Sequence, residues 1–166
     1  MEQLTQQLFD FLSGAGKEAA LFIVSMIPLI ELRGAVPLGA LMGMEWWKVF
    51  AISVVGNLIP VPFVLLLGRP IFGWLKKTRL LSGFAHWYEN KLLSKADKVR
   101  RYEAIGLCLF VGIPLPGTGA WSGAVLAALL DLRMRSALLA ITGGVVLAGI
   151  IMTLGAYGVV GFFSLF

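Results

Sequence analysis

The sequence predicts an all-α integral membrane protein with two inverted repeats, each a re-entrant helical hairpin followed by a transmembrane helix, and with amphipathic interfacial helices. Of its 166 residues, 58% are hydrophobic and 14% are charged, whereas a soluble domain has about 25% charged residues. Uncharged runs cover residues 49–68, 104–130 and 136–166, and runs of about 18 or more apolar residues are typical of membrane helices. Two apolar segments are interrupted at their centres by prolines and glycines.

We interpret residues 1–166 as a single membrane domain. Within residues 1–18, apolar residues recur at helical spacing, which predicts an amphipathic helix on the membrane surface. Residues 19–75 form the first predicted repeat, residues 76–103 a basic loop, and residues 104–166 the second predicted repeat.

Most of the positive charge lies in and beside the loop. The net charge is +5, and residues 69–101 contain nine Lys or Arg residues against two acidic ones. Between two membrane segments, this excess is typical of a cytoplasmic loop, and we prefer that interpretation to nucleic-acid binding. We therefore expect a multi-pass protein of the plasma (inner) membrane, surrounded by lipids, with the loop 76–103 in the cytoplasm.

The first broken segment covers residues 19–44 and contains Glu31 and Arg33. Twelve uncharged residues precede Glu31 and eleven follow Arg33, and neither half reaches the roughly 20 residues that are needed to cross. Pro28 and Pro37 each remove a helical hydrogen-bond donor. We therefore predict two half-helices that meet at a broken tip.

The second broken segment has the sequence "IPLPGTGAW" at its centre, residues 113–121. Pro114, Pro116 and the two glycines do not allow a helix to continue. "IPLIELRGA" in the first segment aligns with "IPLPGTGA" in the second, with one gap. In each half, small residues, a charged turn and a long apolar span follow the break, the spans being predicted at residues 46–74 and 136–166. This shared order indicates an internal repeat.

Charge also favours re-entrant hairpins over full crossings. If all four segments crossed, Arg133 and Arg135 would lie outside, against the positive-inside rule. If the two broken segments enter and return, both arginines lie in the cytoplasm and the two halves are inverted. Inverted repeats with broken helices are typical of transporters.

Candidate binding residues lie at the two breaks and in the span of the first repeat. Ionisable residues inside a membrane usually mark a cavity or pair with each other. A planar guanidinium suits phosphate or carboxylate, a carboxylate can exchange a proton or cation, and a glycine-rich break before a half-helix can hold an anion. The alternatives are an internal salt bridge, glycines that serve only turns and packing, and polar contacts between helices. The candidate substrate- or ion-binding residues are Glu31, Arg33, Gly34, Asn57, Gly117, Thr118, Gly119 and Trp121.

The sequence offers no pattern that predicts catalysis. It contains no nucleophile–base pair or carboxylate dyad, so we do not expect an enzyme. Cys108 and His86 are the single cysteine and the single histidine, so neither a disulfide within the chain nor a metal site is predicted. No cofactor is expected.

The motifs "ELRGAVP" (31–37) and "PLPGTGAW" (114–121) resemble the small multidrug export protein family. That family is similar in architecture to the DedA/VTT-domain membrane proteins, and the resemblance covers about residues 19–166. It implies two opposed re-entrant hairpins, each followed by a membrane helix, and either transport driven by the proton motive force or movement of lipids. A hairpin acid and arginines are important in those relatives, and here Glu31 and Arg33 occupy the matching place.

These observations favour a small proton- or ion-coupled transporter that moves an amphipathic or anionic substrate through a site between the two hairpins. A homodimer is expected because two hairpins and two spans make a thin wall around a polar cavity. A lipid flippase or scramblase, acting for example on undecaprenyl phosphate or phospholipid headgroups, is the alternative. A non-transporting membrane scaffold is the second alternative.

Overall fold

The computed structural model describes residues 15–115 and 117–163 of the chain. All regular structure in these ranges is helical, which confirms the all-α class. Most of the predicted amphipathic helix at residues 1–18, and the predicted break at Pro116, lie outside the described residues. The helices are α1 over residues 15–26, α2 Glu31–Leu41, α3 Trp46–Leu58, α4 Val61–Lys77, α5 Ser82–Leu93, α6 Ala96–Gly112, α7 Ala120–Leu129 and α8 Met134–Phe163.

Contacts divide the chain into two compact units. Unit 1 consists of Met1–Asn57 and Gly149–Phe166, and unit 2 of Leu58–Ala148. Helix α8 therefore contributes its first half to unit 2 and its second half to unit 1.

Two helical stretches have the length and composition of membrane spans. Trp46–Lys77 has 32 residues and Met134–Phe162 has 29, and each contains an 18-residue window with a mean hydropathy of 2.3. The two predicted long spans are therefore confirmed as helical and long enough to cross. The first is divided into α3 and α4 at Ile59 and Pro60, because Pro60 and Pro62 have no N–H to continue the helical hydrogen bonds.

In unit 1, α1 and α2 form an antiparallel pair. Lys17 Nζ donates to the carbonyl oxygen of Met42 at 3.2 Å, which brings the start of α1 to the end of α2. Lys48 lies 4.0 Å from Glu18 and 3.2 Å from Glu45, so the start of α3 is at the same end. With 11 residues, α2 is about 16 Å long, roughly half of a 30 Å hydrocarbon layer.

The second half of α8 runs antiparallel to α3. A Cβ added at Gly149 would lie 2.9 Å from the Phe50 ring and 3.1 Å from Val54. Two turns later, the Tyr157 hydroxyl donates to the carbonyl oxygen of Met44 at 2.7 Å. Unit 1 is thus a helical hairpin packed with α3 and half of α8.

In unit 2, α7 is the central element. Ala120, Ser122 and every residue from Gly123 to Ala128 are buried, because α7 packs against both α4 and α6. A Cβ at Gly68 of α4 would lie 3.2 Å from the Cβ of Ala128. Close helix approach through small residues therefore builds this unit.

The basic loop is more ordered than the sequence predicts. Helix α5 lies within it, as expected for an amphipathic segment, but α6 begins at Ala96 rather than near the predicted boundary at 104. Helix α5 is fixed to α4 by the Lys76–Glu89 salt bridge and by stacking of Phe72 on Tyr88, with ring centroids 6.0 Å apart. These contacts show that the loop is part of unit 2 and packs against α4.

One glycine contact occurs in unit 1 between α1 and α3. A Cβ added at Gly56 would collide with Ser25 Oγ and would lie 3.0 Å from the carbonyl oxygen of Phe22. Ser25 and Phe22 stand two and five residues before Ile27, the first residue of the break.

The same contact occurs in unit 2 between α6 and α8. A Cβ added at Gly144 would lie 2.6 Å from the carbonyl oxygen of Cys108 and 2.6 Å from the Cβ of Val111. Val111 and Cys108 stand two and five residues before Ile113, the first residue of the second break. In each unit, therefore, the first hairpin arm packs in the same register on a glycine of the following span.

Candidate functional site

The break in unit 1 is a four-residue turn, residues 27–30, that ends directly before Glu31. Pro28 lies in this turn, as predicted, and the backbone N–H of Glu31 donates to the carbonyl oxygen of Ile27 at 2.9 Å. Pro37 lies inside α2 and not at the break, so the prediction for Pro37 is wrong. A proline removes one helical hydrogen bond, and the buried residues around it, Val36 and Gly39 among them, hold α2 helical.

Glu31 begins α2 with an unusual backbone. Its φ is +52°, a left-handed conformation that non-glycine residues rarely adopt and that costs on the order of 1–3 kcal/mol. Gly34, one turn later, admits the Ile30 side chain, which would collide with a Cβ at position 34. The surrounding packing therefore holds a carboxylate in a strained position at the tip of the hairpin.

Glu31 and Arg33 lie two residues apart in the first turn of α2. Glu31 is 5% exposed and Arg33 is half-buried, and the opposite charges of the two groups attract. Removing two charges from water is costly, and their attraction repays this cost only with good geometry and further hydrogen bonds. The two predicted residues therefore place one buried and one half-buried charge in the first turn of α2.

Asn57 is fully buried at the end of α3. Its side-chain oxygen Oδ1 and the Ser53 hydroxyl, one turn earlier, have no hydrogen-bond partner among the described residues. A buried polar atom left unpaired costs about 1–3 kcal/mol. Sequence reasoning selected Asn57 but missed Ser53 and Ser25, although the i, i+4 spacing of Ser53 and Asn57 in an apolar span was an available signal.

The break in unit 2 is longer and rich in glycine. Gly117 and Gly119 have φ values of +74° and +154°, which favour glycine. The Thr118 hydroxyl lies 2.9 Å from the carbonyl oxygen of Ile113 and 2.8 Å from that of Leu115. Thr118 therefore closes the turn, which matches the alternative that this break serves backbone geometry.

Lysines from the basic loop lie beside this break. A Cβ added at Gly117 would lie 3.7 Å from Lys95 Nζ and 3.9 Å from Lys91 Cε. Lys91 also lies over the Trp87 ring, 4.8 Å from its centroid. Trp121, in the first turn of α7, is half-buried. Sequence reasoning missed the lysines because it treats residues 76–103 as a cytoplasmic loop, apart from the hairpin break.

The eight candidate residues divide between the two units. Glu31, Arg33, Gly34 and Asn57 belong to unit 1, and Gly117, Thr118, Gly119 and Trp121 belong to unit 2. In unit 1 they provide a buried charge pair and an unpaired amide oxygen. In unit 2 they provide a closed turn next to two lysines.

Unit 1 also contains an apolar cavity of about 480 Å³. It lies between the second half of α2 and the second half of α8. Its volume is within the range of about 300–1,000 Å³ that is usual for small-molecule sites. The lining residues are Pro37, Ala40, Leu41, Ile151, Met152, Gly155, Ala156, Val159 and Val160.

Comparison with known proteins identifies a family. The family model described as small multi-drug export protein matches residues 31–151, from the first turn of α2 to the middle of α8. No curated protein matches the chain, and neither does any solved structure. The match covers well over half of a chain that has two helices long and apolar enough to cross a membrane. This membrane protein therefore belongs to the small multi-drug export protein family.

Proposed function

We propose that the protein is a proton- or ion-coupled transporter of an amphipathic or anionic substrate, with Glu31 and Arg33 as its binding and coupling residues. This proposal rests on a buried carboxylate and a half-buried guanidinium at the tip of a hairpin whose arms are each too short to span a membrane. Ionisable groups are costly inside a bilayer and usually mark a substrate or ion pathway. The family description, which concerns export and not catalysis, supports transport.

The chemistry follows from the two side chains. The guanidinium of Arg33 would hold a carboxylate or phosphate through two parallel hydrogen bonds. The same guanidinium attracts the Glu31 carboxylate, so an anionic substrate would compete with Glu31 for Arg33. Binding of the substrate would then favour uptake of a proton or cation by Glu31, and this competition would couple the two fluxes.

Transport would be tested in proteoliposomes that contain the purified protein. Efflux of ethidium, and of the anion carboxyfluorescein, would be measured under an imposed pH gradient. We expect Glu31→Gln and Arg33→Ala to reduce the rate at least tenfold, and Arg33→Lys to restore only part of it. Lys48→Gln, which removes a half-buried cation of unit 1, is the matched control and should keep the rate. Full activity in both Glu31→Gln and Arg33→Ala would refute the site.

A lipid translocase is the second candidate, and the apolar cavity favours it. A cavity lined by aliphatic side chains suits an acyl chain, and Arg33 suits a phosphate headgroup. Scrambling of a fluorescent phospholipid in the same vesicles, measured by dithionite quenching, distinguishes the two candidates. Scrambling without flux of either solute would favour the lipid translocase, and activity in neither assay would favour a scaffold.

We further propose that the α1–α2 and α6–α7 pairs are re-entrant and inverted, with the basic loop in the cytoplasm. The short second arms, with 11 residues in α2 and 10 in α7, and the recurring glycine contact support this topology. In a Cys108→Ser background, Glu18→Cys and Arg133→Cys should react with a membrane-impermeant maleimide from opposite faces. Labelling of both from the same face would contradict the inverted arrangement.

A homodimer is also proposed. Gly155 and Gly158 on the second half of α8 have open space where a Cβ would lie, and small residues of this kind allow close helix association in membranes. Cross-linking through Gly158→Cys in vesicles should give a dimer. A monomer under conditions that cross-link a known membrane dimer would contradict the proposal.

A further inference from the structure

We propose that Ser25, Ser53 and Asn57 form a binding site for Na⁺ in unit 1. Ser53 and Asn57 are one turn apart on α3, so they share a face of that helix. Gly56 lies on the same face, and the Ser25 hydroxyl of α1 contacts it so closely that no Cβ would fit. The three oxygen-bearing side chains therefore belong to the region where the C-terminal ends of α1 and α3 pack together.

The side-chain oxygens of Ser25, Ser53 and Asn57 have lone pairs that can coordinate a cation. Ser25 and Ser53 are 0% exposed and Asn57 is 1% exposed. The Ser25 hydroxyl donates its proton to the carbonyl oxygen of Phe22 at 2.6 Å, which leaves its lone pairs available. Ser53 Oγ and Asn57 Oδ1 have no partner among the described residues. A bound cation would compensate the cost of burying these oxygens.

Unit 2 shows that the fold does not need polar residues here. Counted from the first isoleucine of each break, Ser25 corresponds to Val111. Counted from the glycine contact, Ser53 corresponds to Ile141 and Asn57 to Val145. All three residues of unit 2 are apolar and at most 1% exposed. The polar character of unit 1 therefore has a cause other than packing.

The donor set selects the type of ion. Hydroxyl and amide oxygens are neutral, hard ligands, whereas Ca²⁺ sites use several carboxylates and transition metals use His or Cys. Among the described residues no group of three or more His, Cys, Asp or Glu could hold a metal. A small monovalent cation fits neutral oxygens best.

Backbone carbonyl oxygens at the ends of α1 and α3 also favour a bound cation. Pro60 has no N–H, so the carbonyl oxygen of Gly56 lacks the usual donor four residues later. The C-terminal ends of α1 and α3, which carry the negative end of the helix dipole, both lie near the three side chains. Ends of broken helices coordinate Na⁺ in this way in transporters. The role of Na⁺ as a coupling ion rests on the proposed transport function, whereas its binding does not.

Thermal unfolding of the detergent-solubilised protein tests the binding. The midpoint would be followed by tryptophan fluorescence in NaCl, KCl and choline chloride of equal ionic strength. At Na⁺ ten times above Kd, we expect a rise of about 3 °C relative to choline, and no comparable rise in KCl. No difference between the salts, or an equal rise in NaCl and KCl, would refute a Na⁺ site.

Substitutions of the proposed ligands test whether these residues cause the Na⁺-specific rise in the unfolding midpoint. Ser53→Ala and Asn57→Leu should each abolish the Na⁺-specific rise, and Asn57→Asp, which adds a charge, should shift it to lower Na⁺ concentrations. Thr153→Val, which removes a buried, unpaired hydroxyl of unit 1 outside the proposed cluster, is the matched control and should retain it. Because each variant is compared with itself in different salts, a change in its baseline stability does not affect the result. A rise that persists in Ser53→Ala and Asn57→Leu would refute the assignment.

The two proposals fail separately. Na⁺-specific stabilisation in a protein that moves neither solute nor lipid would leave the Na⁺ site standing and refute transport. Solute efflux in a protein that shows no Na⁺-specific stabilisation would support transport and refute the Na⁺ site.

Discussion

The two hairpins share a packing register but differ in chemistry. In both, the first arm meets a glycine of the next span through residues two and five positions before the break. The break of unit 1 is a turn of four residues followed by a strained, charged first helical turn. The described part of the break of unit 2, residues 113–115 and 117–119, relies on positive φ values at glycine and on the Thr118 hydroxyl. The same packing register therefore occurs next to two breaks of different chemistry, one charged and one built on glycine backbone geometry.

The largest effect on transport, an at least tenfold loss, is expected when the charge pair of unit 1 is broken, and the same change lowers stability. Removing one partner leaves the other buried without its counter-charge, which costs 3–5 kcal/mol in a fully buried pair. Because Arg33 is half-buried, we expect about 2 kcal/mol for Glu31→Gln or Arg33→Ala alone. The double variant should lose less free energy of unfolding than the sum of the losses in the two single variants. Chemical unfolding in mild detergent measures this cycle, and strict additivity would show that the two residues are independent.

The glycine contacts should respond unequally in the two units. We expect Gly144→Ala to cost about 3 kcal/mol and Gly56→Ala about 1–2 kcal/mol, within the range for overpacking. In unit 2 the added Cβ meets the backbone oxygen of Cys108, which cannot move aside, whereas in unit 1 its nearest neighbour is the side chain of Ser25. The midpoint of thermal unfolding of Gly56→Ala and of Gly144→Ala, each relative to the unmodified protein, measures the two losses of stability.

Two further variants check this explanation. Gly158→Ala, at a position with open space, should be neutral or slightly stabilising, since alanine is the better helix former. Combining Gly56→Ala with Ser25→Gly should restore part of the lost stability. Equal losses in Gly56→Ala and Gly144→Ala would contradict the difference between the two units.

Thr118→Val tests whether the break of unit 2 serves only backbone geometry. The substitution keeps the shape of the side chain but removes its hydrogen bonds to the turn, so we expect a loss of about 1–2 kcal/mol. Transport per folded molecule should be unchanged if Thr118 only closes the turn. A transport defect at equal folded fraction would instead indicate that its hydroxyl contacts the substrate.

The smallest effect is expected at the exposed salt bridge between Arg69 and Asp131. Their 2.8 Å contact has side chains that are 52% and 78% exposed, and such pairs contribute about 0.2–1 kcal/mol. Asp131→Asn keeps a residue that tolerates the left-handed φ of +58° and should change stability by less than about 0.5 kcal/mol. A larger loss in thermal unfolding would show that this surface pair is a structural anchor.

The sequence predicts the helical class, the two spans and the two breaks, because length, hydropathy and proline positions are local properties. It does not predict that α6 begins at Ala96, since the charged residues at the start of α6 carry no apolar periodicity. It also misses the approach of Lys95 to Gly117 and the burial of Ser25, which depend on contacts between distant segments. The relation to the DedA/VTT-domain proteins, the inverted orientation and the role of each candidate residue stay predictions.

The buried state of α7 has a consequence for biogenesis. With 10 residues, α7 is about 15 Å long, too short to insert into a bilayer as an independent span. Its apolar residues are covered by protein, chiefly by α4 and α6. Both of these helices precede α7 in the chain, so they are synthesised before it. We therefore expect α7 to enter the membrane late, into a cleft that its own chain has already assembled.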